Sequence, residues 1–197
     1  MEHPASGDDK RPEQEEHRTS TRMYLRFGAM ILTAMVIMYW ATFVGSWEWG
    51  HVRFSESRVF MVLTMGGTMG LVMLAWMLNM YKNSTANILV IAVSVLLIGG
   101  GIALDRSQIT VGDTAWMSAM IPHHSPAITR SERAQLSDVR VCELAVEISE
   151  AQRLEISEME WLIRDIDENG IAATPAEAND RPVPAFEGEA DRQCAGG

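Results

Sequence analysis

Three thioethers, an imidazole, an amide and a carboxylate fall into one pattern in the C-terminal half of this 197-residue chain. At about 100° per residue, Met117, Met120, Ile121, His124 and Ile128 share one face of a helix. Val141, Ala145, Ile148, Gln152, Glu155, Ile156, Met159, Ile163 and Ile166 form the apolar stripe of a second helix, with Gln152 and Glu155 as its polar anomalies. Soft thioethers select Cu(I), and imidazole accepts copper as well as zinc. The set is therefore the donor set of a copper(I) site, open to silver(I), with Gln152 or Glu155 orienting an imidazole N–H. The His-bearing helix has no cysteine, so a closed Cys/His zinc site is not available. The competing account is that Met117, Met120 and Met159 fill core space while His124 hydrogen-bonds Glu155. Either way Glu155 needs a partner, because burying an unpaired charge is costly.

These side chains need two antiparallel helices. Asp113 is the expected N-cap of the first, which begins at Thr114, is interrupted and kinked by Pro122, and resumes to about Arg133. Gln135-Leu136-Ser137 connects to a second helix capped by Ser137 or Asp138 and stopped at Asn169-Gly170. The hairpin is expected over 113–168, followed by a disordered acidic tail over 169–197. Cys142 and Cys194 can bridge in an oxidising compartment, closing a loop worth about 4 kcal/mol, although unlinked thiols or an intermolecular bridge fit as well.

The string Met120-Ile-Pro-His-His-Ser125, followed by Leu144-Ala145, Ile148, Gln152, Glu155-Ile156, Met159 and Trp161-Leu162, resembles the domain-of-unknown-function family 305 over roughly 113–167. The resemblance implies a ferritin-like helical hairpin, often paired, in a family with exported members that bind copper or silver through Met and His. Carried over by position, it implies Met117, Met120, His123, His124 and Met159 as ligands. Only one hairpin is present, so a four-helix core needs a homodimer or higher oligomer.

The rest of the chain points to a membrane. No charge occurs from Phe27 to Ser46, from Val59 to Tyr81 or from Asn83 to Leu104, and about 20 apolar residues span a bilayer. Spans are expected at about 24–47, 59–81 and 86–104 within a membrane region 23–106, after a disordered tail 1–22. The first is too long for a secretory signal's apolar core and reads as a retained anchor. Lys10, Arg11, Arg18, Arg22, Arg26 and Lys82 on one side outnumber Arg53, Arg58 and Arg106 on the other. This places the N-terminus in the cytoplasm and the hairpin outside an inner (plasma) membrane, in the periplasm or beyond the cell. Trp47, Trp49, Trp76 and Tyr81 fit an interfacial belt.

Met61, Met65, Met69, Met73 and Met77 recur every four residues along the second span. They form either a soft-ligand track or an adaptable packing stripe beside Gly66, Gly67 and Gly70, and packing is favoured. The spacing is similar to that of eukaryotic high-affinity copper transporters, but the orientation is opposite and the N-terminal tail lacks Met clusters. Glu48 and His51 in the first outer loop are a possible metal-capturing pair, with a solvated interfacial loop as the favoured account.

The all-α chain, three spans and then a hairpin, is thus expected to be an outward-facing metal-binding protein for tolerance or delivery, not an enzyme. Its expected partners are membrane lipid, further copies of itself and a copper-handling protein. A structural interaction module is the alternative, and a ferritin-like redox enzyme a third, poorly served because no Glu-x-x-His pair occurs on either hairpin helix. Residues 138–197 hold 15 of the 26 acids and 5 of the 16 basic residues, so no basic footprint for nucleic acid exists.

Overall fold

The computed structural model describes residues 11–194, with side chains from Arg18 onward. Six α-helices and one short 3-10 turn make up its regular structure among the described residues: α1 Arg11–Ala41, the turn Trp49–His51, α2 Glu56–Trp76, α3 Ser84–Ser107, α4 Asp113–Arg133, α5 Val139–Asn169 and α6 Pro175–Asp180. Three stretches are long and apolar enough to cross a membrane: Arg18–Ala41, Glu56–Trp76 and Ser84–Ser107. The first and second begin earlier than the charge-free runs, because helical hydrogen bonding continues through flanking polar residues. Residues 11–22, expected to be disordered, lie in α1 for the same reason, while the tail's first ten residues lie outside the described part.

The chain forms two compact units. The first comprises residues 18–40 and 59–107 of the described side chains. Phe27, Ile31, Leu74 and Tyr81 are its buried centre, with Met35, Met69, Met73 and Met77 packed against them. Tyr24 and Phe27 stack on Tyr81 at 5.0 and 5.4 Å. The Tyr24 hydroxyl donates to Asn87 Oδ1 at 2.8 Å, and Asn87 Nδ2 donates to the Tyr81 carbonyl at 2.8 Å, which ties the start of α3 to α1. Glycine lets α2 and α3 meet backbone to backbone: a Cβ on Gly67 would lie 2.6 Å from the Ser94 carbonyl, and one on Gly101 2.8 Å from that of Phe60.

The second unit comprises residues 41–58 and 108–194. Helices α4 and α5 form the expected hairpin around Met117, Ile121, Ile128, Ile156 and Met159. Gly112, not Asp113, is the α4 cap residue, and no side chain caps that end. Asp138 caps α5 by accepting from the Arg140 amide, and Gly170, at φ 78°, ends it in a conformation that glycine tolerates. The buried face of α5 runs through Cys142, Ala145, Ser149, Ile156 and Met159. Val141 and Ile148, expected inside, are exposed, because the early part of α5 buries small residues instead.

The acidic tail is ordered as far as residue 194, contrary to expectation. Cys142 and Cys194 are joined in a disulfide. Arg192 donates to the carbonyls of Ser131, Glu132 and Ala134 at 2.5, 3.0 and 2.5 Å, satisfying acceptors that the end of α4 leaves open. Arg181 pairs with Asp165 at 2.6 Å. Composition alone hides this, because a few long-range anchors supply the order that the tail lacks in apolar surface.

Candidate metal centre

The motif helix α4 carries two interior prolines, Pro122 and Pro126. Each removes one backbone N–H, so the carbonyl four residues earlier loses its helical donor. For Pro126 that carbonyl belongs to Pro122, and Arg58 Nη2 donates to it at 2.7 Å. The helix is assigned as continuous from Asp113 to Arg133.

The loop between α1 and α2 belongs to this unit and lines α4. Ser125 Oγ accepts from the Trp47 amide at 2.7 Å and lies 2.8 Å from His51 Nδ1. Thr129 Oγ1 donates to the Gly45 carbonyl at 3.0 Å, and Arg53 pairs with Glu160 of α5 at 2.8 Å. Trp47 packs against the hairpin core between the guanidinium groups of Arg133 and Arg153. Of the loop expected to be solvated, Glu48, Trp49 and Gly50 are exposed but His51 is 8% exposed. Glu48 and His51 share a cavity of about 380 Å³ with Glu160, Glu187 and Glu189. His51 and Ser125 share one hydrogen bond, whose direction follows the His51 tautomer, and it holds the His51 ring against α4.

Sequence reasoning missed Trp47, Arg58, Ser125 and Pro126 as positioning residues. The four-residue spacing of Pro122 and Pro126 was the available signal, since it leaves a defined carbonyl in need of a donor.

Among the expected ligands, Met117 and Met159 are buried together in the hairpin core, 4% and 6% exposed, and Met120 packs against the same cluster. His124 follows Met120 by one helical turn. Its Nδ1 lies 2.9 Å from Glu155 Oε2, at ion-pair distance but outside hydrogen-bond alignment. Gln152 Nε2 donates to the same Glu155 oxygen at 3.3 Å. Glu155 thus has the partner it needed, although its side chain stays 47% exposed. Burial pushes the His124 pKa below the ordinary imidazole value; Glu155 pulls the other way and His123 adds to the lowering. His123 is exposed, its ring centroid 5.8 Å from that of His124, and is not brought to the thioethers.

The five methionines, four on α2 and Met77 in the turn just after it, divide. Met69, Met73 and Met77 pack on the aromatic centre of the first unit, whereas Met61 and Met65 are 52% and 41% exposed. Among the described residues no three His, Cys, Asp or Glu side chains converge as a metal-ligand group.

Residues 103–193 match the family described as domain of unknown function (DUF305). The chain is 30% identical over 138 residues to "Uncharacterized protein L153" of Acanthamoeba polyphaga mimivirus, covering 68% of this chain and 88% of that protein. No solved structure matches significantly.

Proposed function

Since this chain belongs to the DUF305 family, we propose that it is a membrane-anchored protein that binds copper(I), or silver(I), on the outward side of the membrane for tolerance or delivery, without turnover. The observation that carries this reading is the burial of Met117 and Met159 in one cluster, with Met120 packed on it and His124 one turn away. The donor chemistry fits. Burial keeps His124 neutral near pH 7, as a ligand must be, and Glu155 beside Nδ1 leaves Nε2 for a metal. Methionine has three rotatable bonds, so its thioether can turn without moving the backbone. The lysine and arginine distribution supports a cytoplasmic N-terminus, an inner-membrane location and delivery to an outward-facing copper-handling partner.

A second reading, a structural interaction module, is favoured by one feature. Val141, Leu144 and Ile148 make an exposed apolar stripe on α5, 46%, 53% and 38% exposed, which a second hairpin would cover in a homo-oligomer. Redox chemistry of the di-iron kind has little support, since it relies on converging carboxylates and histidines.

The test is a copper(I) competition titration of the full chain in detergent against Met120→Ala/His124→Ala, with zinc(II) in parallel. Supporting residues of metal sites are worth about 10–100-fold in affinity, so loss of these two ligands is expected to cost on the order of 100-fold or more while helicity persists. Zinc(II) bound as tightly as copper(I), or an unchanged variant, would overturn the metal reading. A variant altered only in assembly would favour the interaction module.

A further inference from the structure

In the first unit a groove of about 520 Å³ runs between α1 and α3, with Gly66 and Gly70 of α2 at its floor. Its walls are apolar, including Phe27, Ile31, Leu89 and Val93, while one end is polar, formed by Ser20, Thr21 and Asn83. From Tyr24 to Met35 the α1 wall extends about 17 Å at ~1.5 Å per residue. That is close to one leaflet of a hydrocarbon core about 30 Å thick. Gly28 leaves space inside it, since a Cβ there meets nothing within 4 Å.

Charge marks the same end. At about 100° per residue Arg18 lies beside Thr21 and Leu25 at the edge of the groove face of α1, and Lys82 precedes Asn83, both exposed, whereas Arg22 and Arg26 lie further round the helix. No acidic residue occurs in 18–47 or 57–104. An apolar slot one leaflet deep, with cations at its polar mouth, is complementary to an amphiphile carrying a hydrocarbon chain and a negative head. It is a poor fit to a second copy's apolar helix, which would leave the cations without a counter-charge.

The geometry points to a bound anionic phospholipid, with one acyl chain in the α1/α3 groove and its phosphate beside Ser20, Thr21, Arg18 and Lys82. This rests on the membrane-spanning reading above and on no property of the hairpin. Gly28 keeps the slot open, and Arg18 and Lys82 select the headgroup.

The full chain is reconstituted in nanodiscs of equimolar phosphatidylglycerol and phosphatidylcholine with identical tails, and retained lipid is weighed by native mass spectrometry. Each basic residue at an anionic surface is worth about fivefold in binding, so wild type is expected to retain phosphatidylglycerol on the order of tenfold over phosphatidylcholine. Arg18→Gln/Lys82→Gln is expected to bring the ratio near one with lipid still bound. Gly28→Phe is expected to lose lipid of both kinds. A wild-type ratio near one overturns the proposal without relying on any variant. So does a lipid-free dimer that Gly28→Phe splits, which would assign the groove to a second copy. Alkaline carbonate extraction of native membranes separates the premises: release of the chain overturns the membrane reading itself, whereas retention with no headgroup preference overturns the lipid alone.

Discussion

The methionines of α2 and those of the hairpin are one side chain in two settings. Along α2 and the turn after it, the regular spacing delivers Met69, Met73 and Met77 to an aromatic centre and leaves Met61 and Met65 outside it. In the hairpin, irregular spacing on two helices delivers Met117 and Met159 to one buried cluster beside a histidine–glutamate pair. Periodicity on one helix therefore decides only a shared direction. A site needs a facing element, and α4 has three: α5, the α1–α2 loop and the C-terminal tail.

The sharpest way to break that comparison is to remove what closes the hairpin. Reducing Cys142–Cys194, or Cys142→Ser, is expected to cost about 4 kcal/mol in denaturant unfolding of the full chain, since the bridge spans 52 residues. An unchanged midpoint would show that the tail does not hold the hairpin. Next comes the metal itself: against a loss of about 100-fold for Met120→Ala/His124→Ala, Met65→Leu/Met69→Leu is expected to change copper(I) affinity less than about threefold. Equal losses would make the α2 stripe part of the site.

Arg58→Ala leaves the Pro122 carbonyl without its donor and is expected to cost about 1–3 kcal/mol, read from the thermal midpoint. Arg58→Lys is expected to restore part of it, and a neutral outcome in Arg58→Ala would show that Arg58 does not support α4. Acid tests the tail's anchor on α4. Burial pushes the Glu132 carboxyl up, but the Ser149 hydroxyl, the Asp191 amide and Arg153 outweigh it and hold it below its ordinary 4.5. A folded-state pKa below the unfolded one contributes stability above that ordinary value and loses it as pH falls through the folded pKa. The unfolding midpoint is thus expected to fall more steeply below pH 4.5 in wild type than in Glu132→Gln. Parallel curves would release Glu132 from this role. The smallest effect is expected for Met61→Leu, under about 1.5 kcal/mol as a volume-conserving swap, and a larger loss would give that exposed methionine a partner.

Much of the architecture was legible before any coordinates. Charge-free runs of about 20 residues have few alternatives to apolar helices, and Asp138 and Gly170 mark α5 by chemistry local to each end. The methionine faces of α4 and α5 followed from helical period alone. The tail was misread because its order comes from a disulfide and from Arg192 on open carbonyls, neither of which composition reports. The apolar stripe of early α5 was rotated toward Val141 and Ile148 for a related reason: size and hydrophobicity favoured them, but close packing there took Cys142, Ala145 and Ser149.

Local physics, read from residues alone, thus determined that three apolar runs and the two hairpin segments are helical, where α5 begins and stops, which runs are apolar enough for a membrane and which donors share a helix face, but not the helix over 11–22, the short α6 or the ends of α1 and α2. Only the tertiary structure decided that the α1–α2 loop belongs with the hairpin, that His51 and Arg58 support the proline motif, that His123 is exposed while His124 meets Glu155, and that two distant cysteines join. Helical period and capping act within a few residues and leave their mark in order and spacing. Hydrogen bonds from a guanidinium to a carbonyl 64 residues away, or a bridge across 52, depend on how separate elements fill space together.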